Sequence, residues 1–548
     1  MLQTRVIWNV WSYKDLSPYD SAGYFLISTS WAHDLRDNII WNPLYTSFWG
    51  TIYAAVGDVY ASAMVHRIAI VLAASLLVLA LMRSLLSPGI SLLLAAWWAL
   101  LPASFNVYYE VHLYALLPLL AAALIAARGA RREYLGLALA TLFLSTLLLR
   151  NETLVAVIIF ASAIAIREMR ERRVHSVPIR AYLLAYGVPL AVVCFLFAGA
   201  YWRSTIQGES ARSALHTKHN LNVCQVYAFN YQQRHPQQFS GNPFTDCGPL
   251  MARTFRRPLP NFLQAVRANP SAIASFVGWN IELMPPGLQV ALFGATSSGK
   301  DPDYIPVPDQ RTYPVILSAF VVAILLAGCV LLRRQWQFWK QALAPRIWTL
   351  GVLASVSAMT VLVALTQRPR PEYLYPLTVA LIALVGICAT AVLRQFSAMR
   401  FAPIAALATV ALLCLTFPPY YHRAPRPLHD AVERLQSVRD SLQSRKSVLV
   451  TAADGQDICF YLAADSRHYC TSPSWPALKA ELARHKSSSL ASELAGATAI
   501  YADATLRADP TFARLVAAPA AAGWRQVAAG TGDDGAWSVL VHAGQAGT

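Results

Sequence analysis

The sequence predicts an α-helical polytopic membrane protein of about 10–11 spans with a small soluble α/β domain at its C-terminal end. Three observations carry this. First, 56% of the 548 residues are hydrophobic and only 14% charged, with a mean hydropathy of +0.41. A soluble chain of this size carries about 25% charged residues. Second, ten apolar stretches approach the roughly 20 residues that a spanning helix needs. Third, the basic residues fall on alternate connections between those stretches, as the positive-inside bias requires.

Residues 1–62 form an N-terminal segment and first external loop. Its aromatic, amphipathic stretches suit interfacial helices lying along the membrane. Residues 1–12 hold Val6, Ile7, Trp8, Val10 and Trp11 but are too short to cross a bilayer, and they do not form a signal peptide. An external start without a leading helix leads us to expect that the natural reading frame begins upstream and supplies one more span.

Residues 63–201 hold six expected spans, near 64–86, 89–105, 111–128, 135–149, 153–167 and 181–201. Residues 202–311 read as a large external loop rich in Pro, Asn and Gln. Four further spans are expected in 312–418, near 312–332, 347–366, 374–393 and 402–418. With residues 13–62 outside, the inside connections collect Arg83, Arg128, Arg131, Arg132, Arg167, Arg170, Arg172, Arg173, Arg180, Arg333, Arg334, Lys340, Arg346, Arg394 and Arg400. The short outside connections hold Arg150, Arg368 and Arg370.

Residues 419–548 read as a soluble domain. An amphipathic helix is expected near Leu428–Leu442, a strand at Ser447–Thr451 and a helix at Gln456–Ala463. Later strands are expected at Ala497–Tyr501 and Ala536–His542. Gly530-Thr531-Gly532-Asp533 lacks the Lys-Ser/Thr ending of a phosphate loop and reads as a turn.

The net charge of +16 belongs to the inside loops. No basic patch is interleaved with aromatics as a nucleic-acid groove requires, which excludes that partner. Cys194, Cys329, Cys388 and Cys414 fall in spans, whereas Cys224 with Cys247 and Cys459 with Cys470 form local pairs outside them. Such pairs in an oxidising compartment predict disulfides, with free thiols as the alternative. Neither pair has zinc-ligand spacing or a His cluster, so no metal site is expected there.

The acids map the chemistry. No Asp or Glu lies inside an expected span, while Asp20, Glu110, Glu152, Glu282 and Glu372 lie at or beyond the outer face. A proton-coupled transporter places ionisable groups near the midplane, so this pattern favours a reaction at the outer surface. In Gln367-Arg368-Pro369-Arg370-Pro371-Glu372-Tyr373-Leu374-Tyr375-Pro376, two arginines and a carboxylate stand at one membrane surface. An arginine fork suits phosphate, and the alternative is that both arginines anchor helix ends at the headgroups. Asp20 follows the Pro18-Tyr19 turn and is also a good helix cap. Glu110 stands at a helix start, where the dipole alone favours an acid. Glu152 has an evident partner in Arg150. His112 is a candidate ligand or base, with a structural role as the alternative.

These features resemble the GT-C superfamily of membrane glycosyltransferases, in the branch of protein O-mannosyltransferases and bacterial aminoarabinose transferases. The acidic motif of the first external loop is matched by Tyr19-Asp20-Ser21-Ala22-Gly23-Tyr24 and its following Pro-Leu-Tyr segment by Pro43-Leu44-Tyr45. The second acid is matched by Glu110 in Tyr109-Glu110-Val111, and the late arginine motif by Arg368-Pro369-Arg370-Pro371-Glu372-Tyr373-Leu374. Ser21 stands where the family often has a second acid, and the family's first span has no counterpart.

The resemblance implies transfer of a sugar from a polyprenyl-phosphate donor to a lipid, glycan or protein acceptor at the outer face of the membrane. The high Ala, Leu and Arg use and the topology fit a bacterial inner membrane. Asp20 would act as base or orient the acceptor, and Glu110 would support the acceptor or the sugar hydroxyls. Arg368 and Arg370 would hold the donor phosphate, with Glu372, Tyr373, Tyr19 and His112 in support. No cofactor is required, and a carboxylate-held divalent cation stays open. The competing readings are a transporter or lipid flippase and a non-catalytic assembly partner for envelope polysaccharide.

Overall fold

The computed structural model describes residue 2 and residues 20–57, 59–101, 110–173, 178–303, 312–396, 398–416, 449–450, 499–502, 504–532 and 535–542. They fall into two compact units. One holds residues 38–45 and 69–416, the other residues 20–37, 46–68 and the C-terminal sheet.

The chain is a multi-pass helical membrane protein. Its helices are α1 (Asp20–Asp34), α2 (Pro43–Val56), α3 (Val59–Leu85), α4 (Pro88–Leu100), α5 (Glu110–Ala126), α6 (Arg132–Leu148), α7 (Leu154–Arg172) and α8 (Ile179–Arg203). There follow α9 (Gly208–Arg234), α10 (Cys247–Phe255), α11 (Phe262–Ala268) and α12 (Pro270–Phe293). The remaining helices of this region are α13 (Thr312–Arg334), α14 (Trp336–Leu343), α15 (Ile347–Thr366), α16 (Tyr375–Gln395) and α17 (Ala402–Thr416). Each of the ten expected apolar stretches is helical over most of its described residues. Among the described residues six helical stretches are long and apolar enough to cross a membrane, while α4 and α5 are shorter apolar helices.

Packing within the first unit brings α5 against α6, α7 and α5 against α15, and α13 against α16. The α13–α16 approach is close: a Cβ on Gly328 would stand 2.3 Å from the Cβ of Cys388, so only glycine admits it. At the start of α6, Arg132 Nε donates to Glu168 at 2.8 Å and Arg132 Nη2 to Glu171 at 2.5 Å. Tyr186, in the π-helical turn Leu183–Gly187 of α8, donates to Glu168 at 2.9 Å. This network explains why α7 runs on to Arg172, beyond the apolar stretch expected to end at residue 167: its charges are paired rather than left in hydrocarbon.

The segment read as a loop over 202–311 is largely helical, and the difference has local causes. Asn261 caps α11 in a reciprocal capping box with Gln264, and Asn269 caps α12 ahead of Pro270. The Asn and Pro that read as loop composition are here start signals. The segment has its own core of Tyr227, Met251, Phe255, Ala265 and Phe276 beside the Cys224–Cys247 disulfide, whose Cα atoms are 5.5 Å apart. That bridge closes a sequence separation of 23 residues. Changing both cysteines to serine should remove about 3 kcal/mol of stability, read as a lower midpoint for thermal unfolding. An unchanged midpoint would show that the core alone holds the segment.

In the second unit, Phe25 packs on Trp49 and Tyr53 with centroids 5.0 and 5.5 Å apart. Its C-terminal sheet has the order β1-β2-β4-β3, formed by Leu449–Val450, Ala499–Ala502, Trp524–Gly532 and Gly535–His542. The three expected strands are present, with β1 and β2 parallel. Strand β3 was not anticipated: Gly530-Thr531-Gly532, read from the sequence as part of a turn, lies within it and pairs with β4 up to Gly532 opposite Gly535. The expected helices at Leu428–Leu442 and Gln456–Ala463, and the Cys459–Cys470 pair, lie outside the described residues.

Candidate functional site: an arginine and carboxylate cluster

The cluster is built on the loop 367–374 between α15 and α16. Asn280 of α12 donates to the carbonyls of Leu365 and Gln367 at 2.9 and 3.2 Å, closing off carbonyls freed at the end of α15. A Cβ on Gly287 would meet the Pro369 carbonyl at 2.3 Å, so α12 approaches the loop as closely as glycine permits.

The two arginines of the loop have different fates. Arg368 is fully buried. Its Nε donates to the Pro302 carbonyl at 2.7 Å, Nη1 to Asn230 at 2.5 Å and Gln233 at 3.0 Å, and Nη2 to the carbonyls of Asp301 at 2.5 Å and Asp303 at 2.9 Å. All five N–H donors of the guanidinium are thereby matched by neutral acceptors. Phe229 covers its face, with the ring centroid 4.6 Å from Cζ.

Arg370 faces carboxylates rather than neutral acceptors. Its Nε lies 3.2 Å from Asp303 Oδ1 and its Nη2 3.3 Å from Glu372 Oε1. These are long for charge-assisted bonds, which centre near 2.7–2.9 Å. Arg370 and Arg150 both contact the Tyr373 ring, with Cζ of each 5.4 Å from its centroid. Arg150 Nε donates to Glu152 at 2.6 Å, the pairing expected from the sequence. Its Nη1 donates to Nδ1 of His112 at 2.8 Å. An arginine cannot accept, so Nδ1 carries the lone pair. The His112 ring meets Tyr373 edge-on at 4.9 Å. Glu110, two residues before His112, is buried at the first position of α5.

Burial pushes the Glu372 carboxyl up to about 7, with Arg370 opposing the shift and Asp303 adding to it. A carboxyl that binds its proton more tightly folded than unfolded contributes stability below the ordinary carboxylate range, and that contribution is lost as the pH rises through about 7. Glu372→Gln cannot ionise and should flatten this part of the stability curve, measured as thermal midpoints from about pH 5 to about pH 8. A slope unchanged by the substitution would show that Glu372 does not titrate there.

The structure thus brings Glu110, His112, Arg368, Arg370, Glu372 and Tyr373 into one unit. Asp20 heads α1 in the other unit, and Tyr19 lies outside the described residues. Among the described residues no group of three or more His, Cys, Asp or Glu side chains is arranged to hold a metal ion.

Sequence reasoning missed Asp303 and the polar cradle of Asn230, Gln233 and Asn280, which lie far along the chain from the loop they hold. It also passed over His66, buried and stacked on Trp49 at 4.0 Å, and buried Arg67 beside it. A His-Arg pair near the start of an apolar span was the available signal.

No protein-family model and no curated protein matches the chain. Among solved structures it resembles ArnT from Cupriavidus metallidurans in the apo state, 13% identical over 100% of this chain and 98% of that one, with a TM-score of 0.41. ArnT from the same organism bound to undecaprenyl phosphate is 14% identical over 99% and 97%, with a TM-score of 0.36. A likeness that faint assigns no activity.

Proposed function

We propose that the chain transfers a sugar from a polyprenyl-phosphate donor to an acceptor hydroxyl at the outer face of a bacterial inner membrane, with the C-terminal domain on that side. The observation that carries this reading is the contrast between the two loop arginines. Arg368 is saturated by its cradle, whereas Arg370 is buried and held by two carboxylates at 3.2 and 3.3 Å. A guanidinium so placed exchanges those distant oxygens for the closer ones of a phosphate. The apolar helices flanking the loop offer the polyprenyl tail a membrane setting.

Transfer joins the acceptor oxygen to the anomeric carbon and breaks the bond from that carbon to the phosphate oxygen. The acceptor proton passes to a base, and the polyprenyl phosphate departs with the electron pair. Arg370, with Arg150 on the same Tyr373 ring, stabilises the charge that grows on the leaving phosphate. By family resemblance Asp20 is the base or orients the acceptor, and Glu110 supports the acceptor or the sugar.

The reading is tested by sugar transfer from radiolabelled polyprenyl-phosphate sugars in membranes, comparing wild type with Asp20→Asn at matched expression. Transfer by wild type is expected, with a loss of about a hundredfold in the variant. Full transfer by Asp20→Asn would hand the role of base to Glu110. No transfer by wild type from any carrier would replace the reading with a transporter or assembly role.

A further inference from the structure

Glu372 holds an oxygen that its surroundings leave unmatched. Only 6% of the residue is exposed. Oε1 accepts from Arg370 Nη2 at 3.3 Å, whereas Oε2 is buried without a hydrogen-bond partner among the described residues. A buried carboxylate oxygen in that state costs the fold roughly 1–3 kcal/mol or more. The cost is recovered when a bound molecule brings a donor.

The chemistry of that molecule follows from the neighbours. Arg370 shares the loop, and Asp303 reaches the same guanidinium from the 301–303 stretch. Tyr375 follows on α16, and His112 and Arg150 also contact the Tyr373 ring. In its ionised form Glu372 offers Oε2 only as an acceptor, so a phosphate oxygen there would meet a second acceptor and the matching group is a donor. A phosphate seated on Arg370 carries the sugar through its anomeric oxygen. The ring hydroxyls therefore lie within a few ångströms of the guanidinium, on the scale that separates Arg370 from Glu372.

We infer that Glu372 Oε2 accepts a hydrogen bond from a ring hydroxyl of the donor sugar, making Glu372 the residue that distinguishes glycosylated carrier from bare carrier lipid. This rests on the transferase reading above. A site built to receive a hydroxyl strongly rejects the analogue that lacks it, because its own polar atom is then left unpaired. Such selection also helps a transferase release its product, since the spent carrier no longer satisfies Oε2.

The test uses full-length protein in lipid nanodiscs, without acceptor. Binding is measured for polyprenyl phosphate and for its glucosyl, mannosyl and arabinosyl derivatives, and transfer is assayed in parallel to identify the sugar used. Wild type should prefer the carrier bearing that sugar by about tenfold over bare carrier, and Glu372→Gln should lose most of this preference. Glu372→Gln that keeps the full preference while wild type transfers would overturn the inference and leave the transferase reading intact. An effect on acceptor KM alone would also overturn it, by assigning Oε2 to the acceptor. Wild type that transfers no sugar would overturn both. Monodeoxy donors give a second arm that does not depend on a folded variant. Removing one particular hydroxyl should weaken binding to wild type about tenfold, and a series in which no position matters would overturn the inference.

Discussion

Arg368→Ala should destabilise the protein by about 3 kcal/mol or more, the largest loss expected from any single change in the loop. The substitution removes a buried cation and takes five donors from Asn230, Gln233 and the carbonyls of Asp301, Pro302 and Asp303. Gln233 and the Asp301 carbonyl keep longer bonds from Trp279 and from Gln233, at 3.3 and 3.2 Å. Arg368→Lys should rescue little, because a compact ammonium cannot reach acceptors laid out for a planar fork. The measurements are the thermal midpoint in detergent and the rate of proteolytic cleavage within 202–303. A midpoint indistinguishable from wild type would mean that the cradle forms without its guanidinium.

The second large effect is on transfer. Arg370→Ala should lower transfer from a subsaturating polyprenyl-phosphate sugar by about tenfold to a hundredfold, the equivalent of losing about 1.5–3 kcal/mol of charge-assisted bonding. Its effect on stability should be smaller than that of Arg368→Ala. Asp303 and Glu372 are left facing each other, and Glu372, whose carboxyl burial already pushes up to about 7, takes up a proton. Arg370→Lys should fall between, keeping charge but losing the fork. Transfer within about twofold of wild type for Arg370→Ala, against the bonding magnitude above, would remove Arg370 from the phosphate site. The pair thus separates into one arginine whose loss is read mainly in folding and one whose loss is read mainly in transfer.

That separation was not legible in the sequence. Arg368 and Arg370 are two residues apart, and their flanking prolines make them look equivalent. What distinguishes them is Asn230, 138 residues away along the chain, and the stretch ending at Asp303. Residue types and spacing cannot report such contacts. The spans, by contrast, were legible, because about 20 residues of apolar sequence is a physical requirement rather than a statistical preference. Helices α9 and α12 were not, because their faces pack on a local core and on the loop, giving mixed composition that reads as irregular. Strand β3 was missed because Ala528-Ala529-Gly530-Thr531-Gly532 has weak strand propensity and takes its form from pairing with β4. Glu152 was read correctly because its partner, Arg150, is a near neighbour.

The Arg368 cradle also orders events in time. A ribosome makes the chain from the N-terminus, so α9, α12 and residues 301–303 exist long before the loop that fills them. Before α15 and α16 have been inserted, Asn230 can bond Asn280 at 2.7 Å and Gln233 the Asp301 carbonyl at 3.2 Å. What the cradle lacks is the guanidinium and the Leu365 and Gln367 carbonyls. The loop's arrival therefore brings a cation into a prepared polar socket. A nascent chain arrested before residue 368 should show these helices open to protease, and one released beyond it should show them closed.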